Sequence, residues 1–240
     1  FIEGGGFGVG QLAPSRMEVG QPIGYFYGYQ TDGIFQNFDE VEAHPSQIAL
    51  GANAQPGDLR YVDANGDGVI NPDDRVNIGD PIADMTMGIN AQIEFKRFDF
   101  TAYAFASLGG EIVRNYERAL SDVNRLDYYL SRWTGPGTSN EVPRVTTAAT
   151  ANNVFSDFFV EDASFLRLQN LQLGYTLPFR LGSRAPSDLR IYVSANNLFT
   201  LSDYRGFDPG ASSGAPIGGG IDYGFYPIAR TILFGANLNL

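Results

Sequence analysis

Residues 85–95 read Met-Thr-Met-Gly-Ile-Asn-Ala-Gln-Ile-Glu-Phe, apolar at every odd-numbered position and polar or glycine at every even one. Successive side chains of a β-strand point to opposite faces, so this unbroken alternation specifies a strand with one apolar side and one polar side. A slip of one residue would exchange the two faces, so the register is fixed as well. Lys96-Arg97 then separates this run from a second one, Phe98–Leu108 (FDFTAYAFASL), and so short a connection between two strands makes a hairpin. Both runs have the length of a membrane-crossing strand, about 9–11 residues. No apolar run approaches the roughly 20 residues of a membrane helix, so helical spanning is excluded while spanning by strands is not.

Further strands are expected at Ile23–Tyr29, Ser164–Leu177, Asp188–Thr200 and Arg230–Leu240. In Ser164–Leu177 the apolar parity changes between Leu166/Leu168 and Leu171/Leu173/Tyr175/Leu177, and a bulge near Asn170 reconciles the halves. Asn37–Ile48 has a mild helical pattern. Apolar residues at three- and four-residue steps through Glu111–Arg132 predict an amphipathic helix, ended by Gly135-Pro136-Gly137. Residues 1–16 hold too much glycine to assign an element.

The connections alternate strictly. Gln30–Asp84, Gly109–Ala163 and Leu201–Pro227 are long, whereas Lys96-Arg97 and Pro178–Ser187 are short. Outer-membrane barrels show this asymmetry, with short periplasmic turns and long extracellular loops. The fold class expected is therefore all-β, with antiparallel strands forming part of a large transmembrane β-barrel, long extracellular loops and one loop helix within 109–163. About six strands cannot close a barrel, since the smallest use about 8, so the rest of the wall comes from elsewhere. A chain opening on Phe1 with no basic and apolar leader is expected to be a fragment. The alternative from another class is a secreted, calcium-stiffened β-sandwich for carbohydrate binding or adhesion.

Composition removes other classes. With 27 Asp+Glu against 16 Lys+Arg and no basic block, no nucleic-acid partner is expected. The absence of cysteine excludes disulfides, a thiolate nucleophile and a Cys-ligated zinc site, and the single histidine, His44, reads as an incidental surface residue. No nucleophile, acid/base or phosphate-loop motif is present, so the chain is not read as an enzyme.

Several stretches occur together in order: Gly20-Gln21-Pro22-Ile23-Gly24-Tyr25-Phe26-Tyr27-Gly28-Tyr29 with Thr31-Asp32-Gly33-Ile34-Phe35; Pro56-Gly57-Asp58-Leu59-Arg60-Tyr61 before Asp63-Ala64-Asn65-Gly66-Asp67-Gly68; Ile78-Gly79-Asp80-Pro81; Ser164-Phe165-Leu166-Arg167-Leu168; Asn196-Asn197-Leu198; and Pro227-Ile228-Ala229-Arg230-Thr231 with Phe234-Gly235. From about residue 18 to 240 the chain thereby resembles SusC/RagA-type TonB-linked transporters. The resemblance implies the C-terminal barrel portion of an importer in the cell outer membrane, surrounded by its lipid. Glycan or peptide nutrients would be the substrate, with a SusD-like surface lipoprotein as partner and TonB engaged through an N-terminal part absent here. The closing Leu240 departs from the aromatic residue common in that family.

Two local features invite a ligand. Asp63, Asn65, Asp67, the Val69 carbonyl and Asp74 fall at positions 1, 3, 5, 7 and 12 of a calcium loop, with Gly68 at the turn and Ile70 as anchor. An Asx-rich turn capping its own amides explains the same residues, and the two readings stand side by side. Tyr25, Tyr27, Tyr29 and Trp133 suit either a ligand-stacking surface or packing and an interfacial girdle.

Overall fold

The computed structural model describes residues 1–7, 13–116, 124–179, 187–212 and 214–239. The first part of the chain forms β1 (Ile2–Gly4), β2 (Ser15–Met17), β3 (Tyr25–Gly28), β4 (Thr31–Ile34), helix α1 (Phe38–Ala43), β5 (Leu59–Tyr61) and β6 (Val76–Gly79). Two long strands follow, β7 (Met85–Phe95) and β8 (Phe98–Leu108), then short β9 (Glu111–Arg114) and β10 (Val160–Asp162). The remainder comprises β11 (Phe165–Phe179), β12 (Ser187–Leu201), two-residue β13 (Ile221–Asp222) and β14 (Thr231–Asn239).

Contacts divide the chain into two units. One holds residues 83–110, 162–210 and 225–240, here called the sheet unit; the other holds 1–82, 111–161 and 211–224, the loop unit.

The sheet unit is a five-stranded antiparallel sheet in the order β14-β12-β11-β8-β7. Its register gathers the main apolar rows on one face: Ile89 faces Ala104, Ile93 faces Phe100, Leu173 faces both Phe100 and Val193, and Val193 faces Phe234. The opposite face carries Asn90/Tyr103, Gln92/Thr101, Gln172/Ser194 and Thr176/Arg190. The expected bulge is present, as a register shift between Leu168 and Asn170 against both neighbours. One extra residue inverts parity, and that inversion returns Leu171 and Leu173 to the face of Leu166 and Leu168. Side chains on the apolar face are open: Ile89, Ile93 and Leu173 are 55%, 58% and 48% exposed. A β-sandwich would bury such a face against a second sheet, which these exposures do not match.

The sheet has five strands rather than six. Ile23–Tyr29, expected as another wall strand, is represented by β3, which pairs with β2 and β6 inside the loop unit.

The loop unit has its own interior. Phe7, Phe26, Val113, Phe155, Phe159 and Ile221 form one buried cluster, and Tyr29, Ile34, Leu59, Tyr61, Ile70 and Ala151 another. The long connections are thus ordered by apolar packing. Helix α1 forms within the expected Asn37–Ile48 segment, with the Asn37 side chain accepting from the Glu40 amide as N-cap.

The predicted Glu111–Arg132 helix is corrected. Glu111–Arg114 is strand β9, central between β10 and β13, and Asp127–Ser131 is a 3-10 turn. The positions 117–123 lie outside the described residues. Ile112, Val113 and Arg114 are all buried, and a strand covered on both faces loses the alternation by which strands are recognised.

Candidate functional site

On the polar face of the sheet unit, toward the short-turn end, lies a concavity of about 640 Å³ lined by Gln92, Glu94, Lys96, Asp99, Gln172 and Arg190 among others. Register brings Asp99 on β8 and Arg190 on β12 to either side of β11, where Arg190 donates from Nε to Asp99 Oδ2 at 2.9 Å and from Nη2 to Oδ1 at 2.5 Å. This two-pronged geometry fixes both side chains more firmly than a point contact would. Gly174 between them makes room, since a Cβ there would sit 2.3 Å from Asp99 Oδ2. The wall therefore presents amides, hydroxyls and compensated charges, a surface suited to polar solutes and to water.

In the loop unit the organising group is Asp58, which is 1% exposed. Its carboxylate accepts from Arg144 Nε (2.7 Å) and Nη2 (3.1 Å), Asn152 Nδ2 (3.0 Å), Thr150 Oγ1 (3.2 Å) and the Gln55 amide (3.0 Å). The connection at 30–84 is thereby tied to that at 109–163. Asn152 Oδ1 also takes the Leu59 amide at 2.8 Å, and Asp157 takes Thr31 through both amide and hydroxyl. Nothing local in the sequence signals the contact of Asp58 with Arg144, which spans 86 positions.

The aromatic candidates are placed within this framework. Tyr25 and Tyr29 are each 3% exposed, so their faces are not open for stacking. The Tyr29 ring meets Tyr61 edge-on at 5.7 Å. Tyr27 lies under the Arg16 guanidinium at 3.4 Å. Trp133 packs over Gly57, whose φ of +89° and missing Cβ admit the ring, and its Nε1 donates to Gln36 Oε1 at 3.1 Å. Tyr25 and Tyr29 are thus buried in packing, while Tyr27 and Trp133 are half-buried against the neighbours named. His44 sits edge-on to Phe35 at 5.1 Å. Burial raises the Tyr29 phenol to about 12 and moves Tyr61 further the same way.

The Asp63–Asp74 loop is held by its own hydrogen bonds. Asp63 accepts from the amides of Gly66 (2.7 Å), Gly68 (2.8 Å) and Asp67 (3.2 Å), which hold its carboxyl below the usual range, Gly68 contributing most. Asp67 accepts from the Val69 amide, and Asn65 from the Asp67 amide. Asp74 is fully buried, with Oδ1 toward the Ala64 and Asn65 amides and Oδ2 toward Asn71. It thereby caps the loop from within. Among the described residues no three His, Cys, Asp or Glu side chains gather as a metal cluster.

No family model matches the chain. It is 37% identical over 236 residues to the TonB-dependent receptor P3 of Formosa agariphila, covering 92% of this chain and 22% of that protein. To the TonB-dependent receptor SusC of Bacteroides thetaiotaomicron it is 30% identical over 223 residues, covering 92% of this chain and 20% of that one. The chain thus spans about a fifth of the length of the curated relatives it matches. Among solved structures, the RagAB peptide importer in its open-open state superposes with a TM-score of 0.68 at 23% identity, over 95% of this chain and 23% of that chain. At that identity the likeness is one of fold.

Proposed function

Since the chain belongs to the SusC/RagA-type TonB-dependent receptors, proteins of the outer membrane, we propose that it supplies the C-terminal barrel wall and outer loops of a nutrient importer. The observation that carries this reading is the two-faced sheet. An apolar face left open along its full length suits lipid, and the polar face opposite suits a solute path. Both edge strands, β7 and β14, have one unpaired side, and in lipid each unpaired backbone group costs several kcal/mol, so strands from the rest of the receptor complete the wall. The cargo is proposed to be an oligosaccharide or peptide, delivered through a SusD-like surface lipoprotein, with TonB acting on another part of the receptor. Transport requires no bond-breaking residues, and the reading assigns none. The test is to purify the tagged full-length receptor from outer membranes in mild detergent. A stoichiometric lipoprotein should come with it, and its deletion should abolish uptake of the shared cargo; a receptor that is fully active alone contradicts the partnership.

For the outer loop we propose calcium as a stiffening ligand at Asp63, Asn65, Asp67, the Val69 carbonyl and Asp74. Ile70 is fully buried and its amide donates to Ser46 at 2.9 Å, as the anchoring position of a calcium loop would require. Calcium should raise the melting temperature of the parent and leave D63A/D67A unmoved; identical melting of both proteins with and without the ion removes the proposal.

A further inference from the structure

The last long connection leaves β12 after Leu201 and returns at Thr231. Its two limbs are fastened by one carboxylate. Asp208 accepts from the Gly210 amide at 2.8 Å and from the Ile228 amide at 3.4 Å, and it receives Arg167 Nη2 at 2.6 Å. Arg167 stands on the polar face of β11, in register with Phe105 of β8 and Thr200 of β12, and its Nε donates to Thr200 Oγ1 at 2.9 Å. The Phe165 ring lies 4.9 Å from the guanidinium and would touch a Cβ at Gly210 at 3.8 Å. Arg167 and Asp208 are 5% and 7% exposed. A connection free to extend into water would not bury this carboxylate against the wall.

We infer that Arg167 is a positioning residue that draws the limbs at 208–210 and 228 inward onto the polar face, so that these limbs form a fixed constriction at the long-loop mouth of the solute path. The guanidinium fork serves two acceptors at once, Thr200 on the wall and Asp208 on the loop, which a single ammonium cannot reproduce. The inference rests on the reading of the polar face as the inside of the barrel.

This chain contains no cysteine, so a single thiol can be placed in the full-length receptor once any others are removed. Asn170→Cys, three positions beyond Arg167 on the polar face, is challenged from outside the cell with a small charged methanethiosulfonate and with a maleimide on polyethylene glycol of several kilodaltons. The parent should admit the small reagent and exclude the large one. R167A and D208N should each admit the large reagent about tenfold faster, as expected when a loop is released from its local fold. The reversed pair R167D/D208R should restore exclusion, and all should keep the heat-modifiable mobility of a folded barrel. If R167A does not assemble, R167K replaces it, with an intermediate rate expected. An unchanged large-reagent rate in folded R167A or R167K overturns the inference. So does a parallel rise at Gln92→Cys near the short-turn end, which marks general loosening. If the small reagent misses Asn170→Cys but reaches Leu171→Cys, the assignment of faces fails instead.

Discussion

The two units of this chain are built inside out with respect to each other. Among the described residues every buried hydrophobic one except Ala195 and Tyr204 belongs to the loop unit, whereas the sheet unit leaves Met87, Ile89, Ile93, Leu173, Ile191 and Phe234 uncovered on one face. Charge divides the same way. The loop unit carries 20 acidic and 8 basic residues, a net −12, and the sheet unit 7 acidic and 8 basic, a net +1. One composition thus serves two solvents. Segments in water hide their rings and hold charge outside, while a wall in lipid shows its apolar rows and confines polar groups to the other face.

Four perturbations break or sharpen that contrast. The largest effect is expected from Asp58→Ala, which leaves Arg144 without its carboxylate and Asn152, Thr150 and Gln55 without their acceptor. Losing one partner of a buried pair costs about 3–5 kcal/mol. The loop unit should become protease-sensitive while the heat-modifiable shift of the sheet persists; loss of both together would mean the units are not separable.

Next comes a substitution that behaves oppositely in the two solvents. Leu173 is 48% exposed, and in water Leu173→Arg would be nearly neutral. On a lipid-facing strand it should cost about 2–4 kcal/mol in refolding into bilayers, against within about 1 kcal/mol for Thr101→Arg on the polar face. Equal effects would erase the distinction between the faces.

A smaller effect separates the units by pH. Tyr29 is raised to about 12 by burial, so the stability this contributes is intact below the ordinary tyrosine value and is lost as pH climbs through about 12. Alkaline titration followed by tyrosinate absorbance should show late-ionising phenols that Tyr29→Phe and Tyr61→Phe remove, without change in the sheet. The smallest effect is at Asp63. Its lowered value means its contribution is present above the ordinary carboxylate range and disappears as pH falls through the depressed one. Asp63→Asn should flatten the acid limb of the loop unit's melting curve; an unaltered limb would show that its amide contacts stabilise nothing.

The sheet was legible in the sequence because its information is local. Met85–Phe95 and Phe98–Leu108 agree in both bounds with the observed strands, and the bulge near Asn170 followed from a parity change that only an extra residue repairs. The loop unit was legible only in part. Its strands are two to four residues long and its fastenings join Thr31 to Asp157 or Asp58 to Asn152, separations of 126 and 94 positions that no periodicity reports. The same absence of local signal made β9 look helical and left Tyr25 and Tyr29, whose rings are buried, divided between stacking and packing. Arg167 and Asp208 were hidden for the same reason, each ordinary in its own segment.

The central claim is that the five-stranded sheet is a wall with lipid on one side and water on the other. The most direct measurement is nitroxide scanning of positions 85–95 in the full-length receptor in bilayers, with oxygen as the apolar collider and a nickel chelate as the polar one. The account predicts strict alternation, with Met87, Ile89 and Ile93 favouring oxygen and Gly88, Asn90 and Gln92 favouring nickel. Odd positions as accessible to nickel as even ones would contradict it.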